Sequence, residues 1–235
     1  MKKLFTPTLF AALLFTAALN VRAQTPRPKT QPPPPKELTV IAPVSVPVDQ
    51  GRLQDGVYTS DYFGFSFTVK PGWVAMDAAT RKAVMESGKA VVQNGAAEQK
   101  KAQIDAAMSR TAVLINVSKF DVNAPNAEFN AMLMCLAERV PTAIIKTGED
   151  YLKASMLAFE GTAAKIEMVG VTRAEKLGGV PFTVADMKFT AGPRVIMQRY
   201  YVRIANEHVL AFIYSYVDEV DLKIADEMLK TVRFK

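Results

Sequence analysis

The sequence predicts an α+β fold in which consecutive strands joined by short turns build an antiparallel sheet and helices arrive in separate blocks. Three observations lead there. The stretch YFGFSFTVKPGW, Tyr62 to Trp73, alternates large apolar residues with small or polar ones and then turns on Pro-Gly. The last third of the chain is a series of β-rich runs separated by short glycine or polar turns. Between these lie stretches rich in Ala, Lys, Glu and Gln, or with apolar residues at helical spacing.

The 235 residues are 49% hydrophobic and 22% charged, ordinary values for a globular chain. The opening residues are expected to be a leader rather than fold. Lys2 and Lys3 precede the apolar run LFTPTLFAALLFTAAL, and Val21 and Ala23 put tolerated residues at −3 and −1 of a cleavage point after Ala23. The run is shorter than the roughly 20 residues a spanning helix needs, and Pro7 interrupts it. No cysteine stands at the cleavage point, so no lipid is attached there, and no second run of spanning length follows. The expected destination is the periplasm or the exterior. Residues 24 to 48 form a Pro-rich linker whose consecutive Pro32 to Pro35 favour an extended polyproline rod. It is read as a tether, with a docking motif for a proline-reading partner as the alternative.

The net charge of +6, less the three cations Lys2, Lys3 and Arg22 of the leader, leaves +3. That is too weak a balance to point to nucleic acid. Cys135 is the only cysteine, so no intrachain disulfide forms and the thiol is expected inside the fold.

A single domain is expected from near Asp49 to Lys235. GVYTS, Gly56 to Ser60, is a short first strand. Phe63, Phe65, Phe67 and Val69 then fall on one face of the next, opposite Gly64, Ser66, Thr68 and Lys70. That strict alternation marks one wall of a core rather than a ring surface gripping a ligand. Pro71 and Gly72 suit a type II turn. Ala78 to Arg110 reads as two helices or one broken helix, capped by Asp77 and interrupted at Asn94-Gly95. Its apolar face is thin (Val84, Val91, Ile104, Met108 and alanines), so it is expected to be among the more mobile parts and to be removable without unfolding the rest. Ala112 to Phe120 is a β-branched strand. NAEFNAMLMCLAERVP is expected to be a helix starting near Pro125 or Asn126 and stopped by Pro141, burying Phe129, Met132, Leu133, Leu136 and Val140. Thr147 and Asp150 form a capping-box pattern for a helix reaching Phe159, with Gly161 as its stop. Strands follow in AKIEMVGV and in EKLGGVPFTVADMKF, which turns on Gly178-Gly179. RVIMQRYYVRI and HVLAFIYSYV make a hairpin about Ala205-Asn206-Glu207, apolar on both faces and therefore covered on both. Glu219 onward is an amphipathic helix on Leu222, Ile224 or Ala225, and Leu229, closing in the strand TVRF.

Two stretches, GVYTSDYFGFSFTVKPGW and LGGVPFTVADMKF through RYYVRIANEHVLAFIYSY to LKIADEMLKTVRF, resemble PsbP-like domains. Those domains open on a Phe-rich strand with a Pro-Gly-Trp turn and end with a Gly turn, a long hairpin, a helix and a last strand. The resemblance implies a three-layer α/β/α sandwich about an antiparallel sheet and a binding or assembly role rather than catalysis, with Ala78 to Arg110 as a helical insertion. A metal-binding role of family histidines does not transfer, because His208 is the only histidine.

Candidate chemistry is sparse. A Ser-His-acid triad has only His208 to use, which opens a strand beside a turn and is expected to be a solvated polar end. GFSF lacks the final glycine of a nucleophile elbow. Asp218, Glu219 and Asp221 lack calcium-loop spacing and suit the start of a helix. Met132 and Cys135 are three apart, so on a helix both sulfurs face one side, as copper(I) prefers; the core-filling alternative is favoured. No catalytic, cofactor or metal residue is assigned, and no cofactor is expected. The expected function is an exported, non-catalytic binding or accessory domain of the cell envelope whose partner is an envelope protein or an apolar small molecule. The alternatives are a small envelope hydrolase using His208 and a carrier of an apolar ligand or lipid in a pocket along the aromatic strand.

Overall fold

A computed structural model describes residues 48–125, 128–191 and 193–235. The expected leader, and the expected linker up to residue 47, lie outside the described residues. Two antiparallel sheets organise the rest. The smaller joins β1 (Arg52–Gln54), β2 (Val57–Ser60), β3 (Phe65–Thr68) and β11 (Arg233–Phe234) in the order β1-β2-β3-β11. The larger has seven strands: β4 (Val74–Ala75), β5 (Thr111–Ser118), β6 (Met132–Arg139), β7 (Ala164–Leu177), β8 (Val180–Ala191), β9 (Arg194–Ala205) and β10 (His208–Tyr216). Their spatial order is β4-β5-β6-β10-β9-β8-β7. Four helices accompany them: α1 (Ala78–Gln93), α2 (Glu98–Met108), α3 (Gly148–Ala158) and α4 (Glu219–Lys230). The α+β class expected from the strand and helix blocks is what the chain adopts.

The seven-stranded sheet is the middle layer, and its side chains sort by parity into two cores. Met132, Met134 and Leu136 of β6, with Val209, Ala211 and Ile213 of β10, join α1, α2 and α3 on one face. Leu133, Cys135 and Ala137, with Leu210, Phe212 and Tyr214, join α4 and the small sheet on the other. The layers are therefore helices, sheet, and a mixed layer of α4 beside the four-stranded sheet.

This sorting explains the one element whose type the sequence misleads on. Residues 126 to 140, expected as a helix, contain β6. A strand buried on both faces shows no polar alternation, and helical spacing can be picked out of any unbroken apolar run. In β6 every residue from Met132 to Glu138 is buried. Leu133 and Met132, expected on one helical stripe, lie on opposite faces of the sheet.

The opening aromatic strand behaves as a core wall. Phe63, Phe65, Phe67 and Val69 are all buried. Phe212 sits at the centre of their packing, with ring centroids 5.2 Å from Phe65, 6.2 Å from Phe67 and 5.9 Å from Phe182. Such tilted and edge-on pairs add to plain burial. The turns expected beside them also form. Trp73 N–H donates to Lys70 C=O at 3.0 Å across Pro71-Gly72, and Gly72 has φ +86°, the type II arrangement. Asn206 and Glu207, at φ 51° and 61°, make a two-residue hairpin turn, so Ala205 is the last residue of β9 rather than part of the turn. Gly178 has φ +55°, and a Cβ there would lie 2.8 Å from Val232 C=O, so this hairpin tip fits against the chain end only as glycine.

Phe212→Ala removes the ring shared by β3, β8 and β10 and is expected to cost about 3–5 kcal/mol of stability in urea denaturation. Val171→Ala, at a residue 80% exposed, is expected to stay within about 0.5 kcal/mol.

Candidate functional site

The helical block from Ala78 to Arg110 builds one side of a concave cleft. Asp77 caps α1, its carboxylate accepting from Thr80 N–H at 2.7 Å. The break falls at Asn94-Gly95, where Gly95 has φ +72° and Asn94 N–H closes the last turn on Ala90 C=O. The two helices turn Val84, Val92, Ile104 and Ala107 into the core over β5 and β6. Val92 takes the inward position expected of Val91. These contacts show that the block closes the helix side of the core, so its removal would uncover that side instead of leaving the rest intact.

Between α1, the end of α2 and the first half of β5 opens a cleft of about 700 Å³. Met85, Met108, Ala112, Val113 and Val48 give it apolar walls. Arg81, Lys82, Glu86, Lys89 and Asp105 ring it with charge. Lys89 spans the two helices, 2.7 Å from Glu86 and 3.5 Å from Asp105. The hydrogen bond to Glu86 leads in holding its ammonium above the usual lysine range against partial burial. Gln93 Nε2 adds a bond to Asp105 at 3.0 Å. Arg81 is anchored differently, donating to Met76 C=O at 2.8 Å and to Gln50 Oε1 at 2.9 Å. The described chain thus begins on the lip of this cleft.

The residues singled out in the sequence lie elsewhere and are not brought together. His208 is 3% exposed, not solvated. Because the turn consumes only Asn206 and Glu207, His208 already pairs within the sheet, between Ala205 of β9 and Arg139 of β6. Its Nδ1 lies 2.5 Å from Asn206 C=O, and its ring meets Tyr62 and Phe63 edge-on at 5.8 and 6.0 Å. Among the described residues no hydroxyl or carboxylate hydrogen-bonds this imidazole, which is the contact a triad needs. Met132 and Cys135 face opposite cores, so their sulfurs cannot chelate one ion. The Cys135 thiol is wholly buried, and burial pushes its pKa well up. Asp218 caps α4 as expected, accepting from Asp221 N–H at 2.9 Å. Asp221 does more than crown the helix. It is buried, 3.5 Å from Lys119 after β5, while its backbone carbonyl accepts from Tyr214 OH at 2.7 Å.

A buried polar row lies under the helices, hinted at in the sequence only by one acid, Glu138, in the apolar run MLMCLAERV. Tyr200 OH donates to Gln198 Oε1 at 2.7 Å, and Gln198 Nε2 donates to Ser215 Oγ at 3.0 Å. Tyr151 OH donates to Glu138 Oε2 at 2.9 Å, pinning α3 to β6. Burial, helped by the neighbouring Glu138 charge, raises the Tyr151 phenol well above its ordinary value.

No family model matches the chain, and none of the curated proteins does. Among solved structures the chain is similar to the solution structure of cyanobacterial PsbP (CyanoP) from Synechocystis sp. PCC 6803, at 13% identity and a TM-score of 0.46, over 76% of this chain and 91% of that one. At that identity the likeness concerns the course of the chain alone.

The position of Asp221 makes stability depend on pH. Burial holds its carboxyl above the usual carboxylate range, with Lys119 pulling it back. A folded-state value above the unfolded one means that folding favours the protonated acid, so this group's contribution falls as pH rises through that window. Asp221→Asn is expected to raise the thermal midpoint at pH 7 relative to the parent chain, and the gain is expected to vanish as pH falls below the raised carboxyl value. A pH series of melting curves reads both.

Proposed function

We propose that this chain is an exported, non-catalytic binding or assembly module of the cell envelope, similar in kind to PsbP-like domains, that takes a partner in the cleft between α1, α2 and β5. The cleft carries the reading: apolar side chains line it, charged ones surround it, and its size falls within the range of ordinary ligand sites. Three sequence features support the setting. The leader pattern ending at Ala23 gives export, the Pro-rich stretch gives a spacer, and the aromatic opening and hairpin-helix-strand ending give the family resemblance. No helix among the described residues is long and apolar enough to cross a membrane. The hydrolase alternative loses support from the surroundings of His208, and the aromatic strand proposed for a lipid carrier is packed against Phe212 rather than open.

The test uses the full mature chain as bait in envelope extract. Met85→Glu together with Met108→Glu places acids on both cleft walls while leaving Val84, Val92 and Ile104 in the core. Loss of the captured partner, with the melting curve still cooperative, is the expected result. Undiminished capture by the folded double variant would contradict the proposal. Intact mass of the envelope-fraction protein should correspond to a chain starting at Gln24.

A further inference from the structure

One wall of the cleft is an unfinished sheet edge. β4 covers β5 only at Val117 and Ser118, and Met76 N–H adds a last bond to Asn116 C=O at 2.9 Å before the chain leaves into α1. Beyond that point no strand among the described residues pairs with β5 on the side away from β6. A bulge at Leu114, between the pairs made by Val113 and Ile115, marks the change. On the far side of the bulge the alternation is set by Arg139 N–H, which donates to Arg110 C=O at 3.1 Å. Residues 110 and 112 therefore direct their backbone groups toward β6. Thr111 and Val113 direct theirs outward, to the cleft that both residues line.

The opposite edge of the same sheet shows what a defended edge looks like. β7 carries Lys165, Glu167, Arg173, Glu175 and Lys176, and its pairing with β8 is broken about Gly170, which has φ +76°. Charge and bulging of this kind discourage a further strand. The β5 edge carries its bulge at Leu114, just past the reach of β4, and the stretch beyond that bulge is regular and uncharged. Thr111, Ala112 and Val113 are uncharged, and the edge is recessed behind α1 and the end of α2. A recessed, uncharged edge admits one extended chain from the cleft and excludes broad sheet-to-sheet contact.

We infer that the cleft reads its partner by strand addition: an extended peptide segment pairs antiparallel with β5 beside Thr111 and Val113, taking up where β4 leaves off. This deepens the partner reading above and rests on it. The regular stretch from Thr111 to Val113 spans roughly 10 Å at strand rise and presents two outward-facing residues. Backbone hydrogen bonds supply affinity in this mode and alternate side chains supply specificity. Those turned toward the helices meet Met85 and Met108, so they are apolar. Charge fixes the near end. Lys89 is engaged by Glu86 and Asp105, whereas among the described residues no carboxylate forms an ion pair with Arg81 or Lys82. Both lie in the first turns of α1, close to where β4 ends. The partner segment therefore carries an acid at its N-terminal end, followed by alternating apolar residues.

The probe is the synthetic peptide acetyl-Asp-Thr-Val-Thr-Val-Thr-amide, titrated into the full mature chain with amide hydrogen exchange followed by NMR. Exchange at Thr111 and Val113 is expected to slow by about tenfold or more at saturation, and the same peptide N-methylated at every amide is expected not to bind. Lys82→Glu is expected to weaken the acidic peptide by about threefold and to strengthen a copy with Lys in place of Asp. Absence of binding, binding without protection at these two amides, or equal binding of the N-methylated copy overturns strand addition. If capture from extract still fails in the Met85→Glu, Met108→Glu variant, the cleft as partner site survives that overturn. Protection that rises with protein concentration and no peptide assigns the edge to a second copy and overturns the partner class. Binding that appears only after residues 24 to 47 are removed does the same in favour of the chain's own linker.

Discussion

The structure depends on one pair of strands being shut away from water on both faces. β6 and β10 lie side by side at the middle of the large sheet, and every residue of β10 from His208 to Tyr216 is buried. A sheet apolar on one face needs one covering layer; one apolar on both needs two. That requirement recruits α1 to α3 on one side and α4 with the small sheet on the other. The connections follow from the need for cover. The chain leaves β4 to lay down α1 and α2 before returning as β5, and leaves β10 to lay down α4 before closing with β11. Without a disulfide, this double burial is the main source of cohesion among the described residues, and Phe212 is where three strands share it.

Parity explains how polar groups survive inside such a core. The row Tyr200, Gln198, Ser215 spends its hydrogen-bonding capacity internally, so burial does not leave those groups orphaned. Glu138 has Tyr151 as a donor from α3. The same bond sets the helix's position along β6, which an apolar contact alone would define less sharply. On the other face, Asp221 meets Lys119 and its carbonyl receives the Tyr214 hydroxyl, locating the start of α4. α3 and α4 are thus each positioned by a polar contact made within a largely apolar interface.

Much of this was legible where local chemistry decides conformation. Alternation from Phe63 to Val69 announced a half-buried strand, Asp77 and Thr147 announced helix starts, and Pro71-Gly72 and Gly178-Gly179 announced turns. Each signal acts within a few residues and needs no knowledge of the rest of the chain. β6 was illegible for the opposite reason. Only the presence of β5 and β10 on its flanks makes an unbroken apolar run extended, and that is information about distant partners. The error propagated to chemistry, because sulfurs three apart share a face on a helix and oppose each other on a strand. The cleft was half visible. Its helices could be placed, but the short reach of β4, which leaves part of β5 uncovered, emerges only from pairing.

Cys135 sits on that central strand, wholly enclosed, with its ionisation suppressed by the surrounding hydrocarbon. The thiol faces the α4 side of the sheet, so it becomes reactive only when α4 and the small sheet lift from that face. A newly made chain carries an oxidisable group that folding itself puts out of reach, with no second cysteine to mispair with in the meantime. The lone sulfur becomes a built-in tally of how often that covering layer lifts from the sheet.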